Sequence, residues 1–422
     1  MYLFILGRQP EIGLAELTAV YGNAELVLPT VALVQADVDP DIDRLGGARK
    51  VGRVIWHQSG DASKFLIKRF TALPPGKITL GVSQYGRAVM PSSSQKIALY
   101  IKKHLDRSVR VLPNSSAEIT DAATLGNRLG TSPNKVELLM AHVRDGLIIA
   151  ELIGVQDINA YTFRDRSRPK RDARVGMLPP KLAQIMINLA AGPDLFATRH
   201  LKNLGDNDTS SMAGRGLSEA QPSSAGHQGT SEAERRDFST AEEQVNRVRT
   251  LLDPFCGTGV VLQEAALMGF NVYGTDLEPR MIDYTEKNLD WLTKTHHVKF
   301  NKRLEVGDAT DHKWQPPISC VVCETYLGTP YANPPSPEKL RRNITTCNVI
   351  IEKFIKNIAA QLKPGIRACV AVPVWFIGGR AYHLPLVMYQ SFAGFEQQNQ
   401  TPLVYRREDQ IVGRELLVLC SK

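Results

Sequence analysis

The chain has 422 residues, 43% hydrophobic and 22% charged, with 51 Lys and Arg against 43 Asp and Glu and a formal net charge of +8. That length exceeds one ordinary core and implies two or three domains, while the basic excess suits a polyanionic partner, because cationic side chains release counterions from phosphates. Met1 to Leu6 is apolar but stops at Gly7 and Arg8, short of a signal-peptide core or of the roughly eighteen apolar residues a membrane span needs. No membrane partner is expected.

The N-terminus reads as a strand over Tyr2 to Leu6, a turn over Gly7 to Pro10 and a helix over Ile12 to Tyr21. Between 51 and 165, short strands alternate with helices in an α+β pattern. Ile97, Ile101 and Leu105 recur at helical spacing, and Val136 to Met140 and Leu147 to Leu152 are strand-like runs flanking the hairpin signal Arg144-Asp145-Gly146. Six cations and two acids then crowd into the eleven residues from Arg164 to Arg174. Arginines suit bidentate phosphate geometry, so Arg164, Arg166, Arg168, Lys170 and Arg171, with Lys181 just beyond, are the candidate phosphate-contacting strip. Within the linker, 166–193, Pro179-Pro180-Lys181 opens a helix in which Leu182, Ile185, Met186 and Leu189 share a face, and Gly192-Pro193 stops it. Residues 194–247 are rich in Ser, Gly, Glu, Asn and Asp and nearly without aliphatics, which predicts a flexible insert.

From 248 onward the pattern becomes strand, glycine turn, helix, strand. Leu251-Leu252, Asn271 to Gly274, Arg303 to Val306, Ser319 to Cys323 and Arg367 to Pro373 are the strands; helices fall near 260–268, 280–294 and 338–362. That alternation predicts a doubly wound, Rossmann-like α/β sheet, closed by a terminal hairpin over Leu403 to Cys420. All six cysteines lie from Cys256 onward at spacings that fit no disulfide framework, so a reducing cytoplasm is the simplest setting. Cys320 and Cys323 sit three apart on a predicted strand, hence on opposite faces, and cannot grip one metal ion. No metal site is expected.

The most informative string is Asp253-Pro-Phe-Cys-Gly-Thr-Gly259, between a strand and a helix. In a doubly wound sheet such a turn lies at the carboxyl ends of the strands, where ligands bind. A dinucleotide site calls for G-x-G-x-x-G and helix N-terminal amides facing pyrophosphate. Here only Gly257 and Gly259 are present, and Asp253 would repel phosphate. A carboxylate favours an ammonium or a sulfonium, and S-adenosylmethionine carries both. Asp276, after the second strand, is placed to reach ribose hydroxyls, and Asp308, after the third, to accept from the adenine amino group. Phe255, Thr258, Leu277 and Ala309 complete the expected cofactor contacts.

Asp253 to Gly259 with Val260-Val-Leu-Gln-Glu264, then Gly274-Thr-Asp276-Leu-Glu-Pro-Arg-Met281, together with Gly7-Arg8 and its helix and the stretch from Arg164 to Asn188, resemble the THUMP-domain tRNA guanine-N2 methyltransferases. The resemblance covers nearly all of the chain except the insert. It implies a ferredoxin-like piece (1–50) and a THUMP module (51–165) gripping tRNA or another structured RNA, a Rossmann-type methyltransferase (248–422), and methylation at the exocyclic N2 of guanosine. A small activating protein subunit is a further partner the resemblance suggests.

Enzymes of this kind place Asp/Asn-Pro-Pro-aromatic after the fourth strand, where acceptors hold the N–H groups of an amine whose lone pair is shared with its ring, and an aromatic face stacks the base. This chain reads Cys323-Glu324-Thr325-Tyr326-Leu327-Gly328 there, so Glu324 is the expected acceptor and Tyr326 the stacking ring, without either proline. Asn333-Pro334-Pro335 follows nine residues later but is read as a loop and helix start. Cys256 and Cys323 have no neighbouring histidine and are not read as nucleophiles. Two alternatives stand beside an active tRNA enzyme: an RNA-binding protein that kept the cofactor pocket but lost the loop chemistry, and an amino-methyltransferase of rRNA or of DNA adenine.

Overall fold

The computed structural model describes residues 1–86, 89–172, 178–193, 249–390, 392–407 and 410–422. The predicted insert at 194–247 and Arg174 lie outside these residues. In the first half the order is β1 (Tyr2–Leu6), α1 (Pro10–Tyr21), β2 (Glu25–Leu28), β3 (Val31–Val34), β4 (Ala48–Gln58), α2 (Ser63–Thr71), β5 (Ile78–Tyr85), α3 (Pro91–Lys103), β6 (Val109–Val111), α4 (Asp121–Gly126), β7 (Lys135–Val143) and β8 (Gly146–Val155). Pro10 opens α1 with its φ already helical, and Gly22, at φ 80°, ends it. The predicted hairpin is β7 and β8, closed where Val143 pairs with Gly146.

These strands form one eight-stranded sheet in the order β2-β3-β1-β4-β8-β7-β5-β6. The expected division at residue 50 falls inside β4, which pairs with β1 along one edge and with β8 along the other. The sequence signals of the two pieces are local, whereas their union depends on one long strand serving both.

A short helix, α5 (Ile158–Arg166), and the linker helix α6 (Pro180–Ala191) lead to the second half. Helix α6 is buried on nearly every side: Leu182, Met186 and Leu189 join the core of the second half, while polar Gln184 and Asn188 turn to the first. Asn188 Nδ2 donates to Glu16 Oε1 (2.7 Å) and to the Arg44 carbonyl (2.8 Å), and Gln184 Nε2 donates to the Asp43 carbonyl (3.1 Å). The predicted apolar stripe is therefore only one of its two buried faces.

The second half comprises β9 (Thr250–Asp253), α7 (Val260–Leu267), β10 (Asn271–Asp276), α8 (Pro279–His296), β11 (Lys302–Val306), β12 (Cys320–Glu324), α9 (Pro337–Ala359), β13 (Arg367–Ile377), β14 (Arg380–Tyr382), α10 (Pro385–Met388), β15 (Phe395–Gln397), β16 (Leu403–Tyr405) and β17 (Val412–Ser421). They build a nine-stranded sheet in the order β11-β10-β9-β12-β13-β17-β15, with β14 on β13 and β16 on β17. β9 to β13 run parallel, and β17 returns antiparallel to β13 and pairs with β16 as the terminal hairpin. This is the doubly wound α/β sheet the sequence predicts. Its strand order reverses between β9 and β12, so a crevice opens beyond the carboxyl ends of those two strands.

Cores lie on both faces of this sheet. Leu251, Cys320 and Val322 pack with α6 and α7 on one, and Leu252, Val321 and Cys323 pack with α9 on the other. Cys320 and Cys323 thus point into different layers, as strand alternation requires. No helix among the described residues is long and apolar enough to cross a membrane.

Candidate active site

The crevice is built from strand ends. Asp253 closes β9 with only 2% of its surface exposed, and its Oδ1 accepts the Phe255 N–H at 3.1 Å. Gly257 and Gly259 take φ of 52° and 80°, the left-handed region that favours glycine. A Cβ on Gly259 would stand 2.9 Å from Thr285 Cγ2, whereas one on Gly257 would meet nothing nearer than the Phe255 carbonyl at 4.0 Å. Gly257 therefore leaves an open approach to the backbone. The turn is fastened from several sides: Cys256 N–H donates to the Thr275 carbonyl (2.9 Å), Thr285 Oγ1 to the Gly257 carbonyl (2.8 Å), and Asn288 Nδ2 to the carbonyl of the buried Thr258 (2.8 Å). Phe255 stacks edge-on against Phe354 at 5.0 Å, anchoring the turn to α9.

Asp276 ends β10 beside this turn. Its Oδ2 accepts the Gly257 N–H at 2.8 Å and its Oδ1 the Glu278 N–H at 3.0 Å, so both oxygens are oriented by backbone. Leu277, next in sequence, is 64% exposed. Asp308 follows β11, its Oδ1 accepting the Thr310 N–H at 2.9 Å, and Ala309 is buried beside it with its carbonyl held by Asn357 Nδ2 at 3.1 Å.

Acidic side chains crowd the crevice. Burial pushes the Asp253 carboxyl well above the usual carboxylate range, the Phe255 N–H opposes that, and the charges of Asp276 and Glu324 push it further up. Burial likewise raises Asp276 against the N–H groups of Glu278 and Gly257. Each carboxylate in such a cluster makes ionisation of the next costlier, and a phosphate would add to that repulsion. A ligand carrying positive charge relieves it, which fits a sulfonium and an ammonium and disfavours a pyrophosphate.

Glu324 ends β12 on the same face of the sheet as Asp253, and Arg414 of β17 donates through Nε to its Oε1. Burial raises the Glu324 carboxyl and the Arg414 guanidinium opposes the rise. The loop beyond is shaped without prolines. Thr325 N–H and Oγ1 both donate to the Ala371 carbonyl at 3.0 Å, Gly328 turns at φ 83°, and Asn343 bridges Thr329 through its N–H (3.1 Å) and its carbonyl (3.3 Å). Tyr326 is 43% exposed between these anchors. Asn333 is exposed further along the same loop, just before the N-cap Ser336 of α9. Sequence reasoning missed Arg414 and Asn343; an arginine inside the apolar tail strand was the one signal for the former.

The basic strip divides. Arg164 donates through Nε and Nη2 to Glu264 (2.8 and 3.1 Å) and lies over the Tyr161 ring, joining α5 to α7. Arg168 is buried and pairs with Asp165 at 3.5 Å. Lys181 donates to Gln156 Oε1, and its ammonium lies 5.0 Å from the Tyr161 ring. Lys170 is fixed by its backbone N–H to Asn288 Oδ1 at 2.9 Å, with its ammonium over Tyr284. Arg166 and Arg171 are exposed.

With this geometry in view, residues 242–324, which hold Asp253, Asp276, Asp308 and Glu324, match the UPF0020 family, described as an RMKL-like methyltransferase domain. Over 124 residues, 29% of this chain and 32% of the relative, the chain is 31% identical to the tRNA (guanine(10)-N2)-dimethyltransferase of Methanothermobacter thermautotrophicus. Over 92 residues, 19% of this chain and 26% of the relative, it is 39% identical to the protein of the same name from Pyrococcus abyssi. The chain thus spans about a third of the length of the curated relatives it matches. Among solved structures, TrmN from Thermus thermophilus aligns over 100% of this chain and 99% of its own, at 17% identity and a TM-score of 0.46.

Proposed function

We propose that the chain is an S-adenosylmethionine-dependent methyltransferase that methylates the exocyclic N2 of a guanosine in tRNA. The observation that carries the cofactor is the acid-lined, glycine-backed crevice at the point where the strand order reverses. The base and the tRNA rest on the names of the curated relatives and on the family resemblance. Asp253 faces the ammonium and sulfonium, Asp276 the ribose hydroxyls and Asp308 the adenine amino group, with Leu277 and Ala309 flanking the ring and Phe255, Gly257, Thr258 and Gly259 forming the wall. Bound there, S-adenosylmethionine supplies an electrophilic methyl group on a cationic sulfur.

This chain's own residues do the rest. Glu324, held by Arg414, accepts an N–H of the target amine, which frees lone-pair density from the ring for attack. Tyr326, exposed at the mouth of the site, offers its face to a base taken out of its stack. Residues 1–165 form the RNA-gripping half in this reading, with Arg166 and Arg171 as the members of the basic strip open to phosphate. In this reading the protein meets its tRNA substrate in the cytoplasm.

One observation favours a second reading. Glu324 is engaged by Arg414 and the loop lacks both prolines, as expected of an RNA-binding protein that kept the pocket without turnover. Nucleoside mass spectrometry of tRNA from a deletion strain separates the two: loss of a methylguanosine, restored by the wild-type gene and not by Glu324→Ala, supports the enzyme, and an unchanged profile supports the binder.

A further inference from the structure

We propose that Arg414 is a positioning residue for methyl transfer: it holds one oxygen of Glu324 and so presents the other to the acceptor amine. The inference rests on the function proposed above and adds a residue to that site. Three observations support it. Strand β13 lies between β12 and β17, so Glu324 and Arg414 project from strands two apart, about 10 Å by ordinary strand spacing. The β13 residues opposite them, Ala371 and Pro373, are compact and leave room for a long acid and a long base to meet across the strand. The pair forms through Arg414 Nε and Glu324 Oε1, and no hydrogen bond among the described residues reaches Oε2.

The side chains are 9% and 14% exposed, so the pair is largely desolvated, in a place where a well-packed apolar pair would stabilise the sheet as well or better. Placement of the acid explains it more directly. Glutamate is one methylene longer than the Asp or Asn expected after this strand, and that extra rotor blurs an acceptor unless something fixes it. Arg414 does so from the terminal hairpin, while its charge opposes the rise in the Glu324 pKa that burial causes.

The test measures initial rates of methyl transfer from labelled S-adenosylmethionine to undermodified tRNA across pH, with S-adenosylhomocysteine affinity as the check on folding. Without the guanidinium, Glu324 stays protonated to higher pH. Arg414→Gln should therefore lower kcat at neutral pH at least tenfold, about the effect of removing one neighbouring opposite charge, and should recover partly as pH rises. KM for tRNA and affinity for S-adenosylhomocysteine should change little. Arg414→Lys should retain the wild-type position of the acid limb with a several-fold lower kcat, because a point charge neutralises without fixing geometry. A merely structural role would lower both variants alike and leave the limb in place, and that result overturns the assignment, as does wild-type kcat in Arg414→Gln. Should Arg414→Gln fail to bind S-adenosylhomocysteine, Arg414→Lys decides, with a shifted limb counting against the proposal. If the wild-type chain transfers no methyl to tRNA, the proposed function falls and this role falls with it; if it does and both variants match it, only the role of Arg414 falls.

Discussion

Replacing Asp253 by Asn keeps the shape of the β9 terminus and an acceptor for the Phe255 N–H, and removes only charge. A unit charge about 5 Å from a ligand cation, at an effective dielectric constant near 20, is worth about 3 kcal/mol, or roughly a hundredfold in affinity. Part of that is spent on removing the proton that burial and the neighbouring acids hold on Asp253. The expected loss for S-adenosylhomocysteine, whose only cation is its ammonium, is therefore about tenfold to a hundredfold, with a larger loss for the sulfonium of the methyl donor. Because the free-state pKa is raised and the cation lowers it, binding releases protons, and wild-type affinity should climb as pH rises above the ordinary carboxylate range. Asp253→Asn should show no such climb.

The same raised pKa has the opposite consequence for folding. Its stabilising contribution is complete below the unfolded value and is lost as pH rises through the folded value. Ligand-free Asp253→Asn should therefore melt higher than wild type in mildly alkaline buffer. Calorimetric titration at two pH values, in buffers of different ionisation enthalpy, reads affinity and proton release together. Equal affinities and equal proton counts for wild type and variant would refute the reasoning.

Glu324→Ala should abolish transfer while changing S-adenosylhomocysteine affinity less than about threefold, a fraction of a kcal/mol, whereas Asn333→Ala should turn over normally; steady-state kinetics of the two variants check this. Glu264→Ala strands the Arg164 guanidinium, 11% exposed, against an acid position 1% exposed, and should cost about 3–5 kcal/mol in denaturant unfolding. Glu16 is fully buried under α6 and its carboxyl is pushed up to about 7, chiefly by burial. It follows that about 3 kcal/mol of stability, full below the ordinary value of 4.5, is lost as pH rises through about 7. Glu16→Gln should flatten the fall in melting temperature across that window.

Local signals carried much of the second half. The turn from Asp253 to Gly259 needs its glycines where φ is positive, the first four parallel strands each end at or just before an acid, and alternation along β12 separates Cys320 from Cys323. These features depend on neighbours in sequence, so the residues alone display them. Contacts between distant residues were not legible. Arg164 stands in a basic run that reads as a phosphate strip, yet its guanidinium is committed to Glu264, 100 residues on. Glu324 and Arg414 are 90 residues apart, and nothing periodic links them. Asn343 closes the loop beyond Glu324 from inside α9, the part played in the expected motif by two prolines. In the first half, β4 runs through residue 50, where the resemblance sets the boundary between its two pieces, and pairs with β1 and β8, since strand pairing and not local pattern decides where a sheet continues.

The most direct measurement is nucleoside analysis of undermodified tRNA incubated with the purified chain and isotopically labelled S-adenosylmethionine. Labelled N2-methylguanosine or N2,N2-dimethylguanosine, formed by wild type, strongly reduced with Asp253→Asn and absent with Glu324→Ala, is the predicted result. Label on another base, or no label in tRNA from a chain that binds S-adenosylhomocysteine, would contradict it.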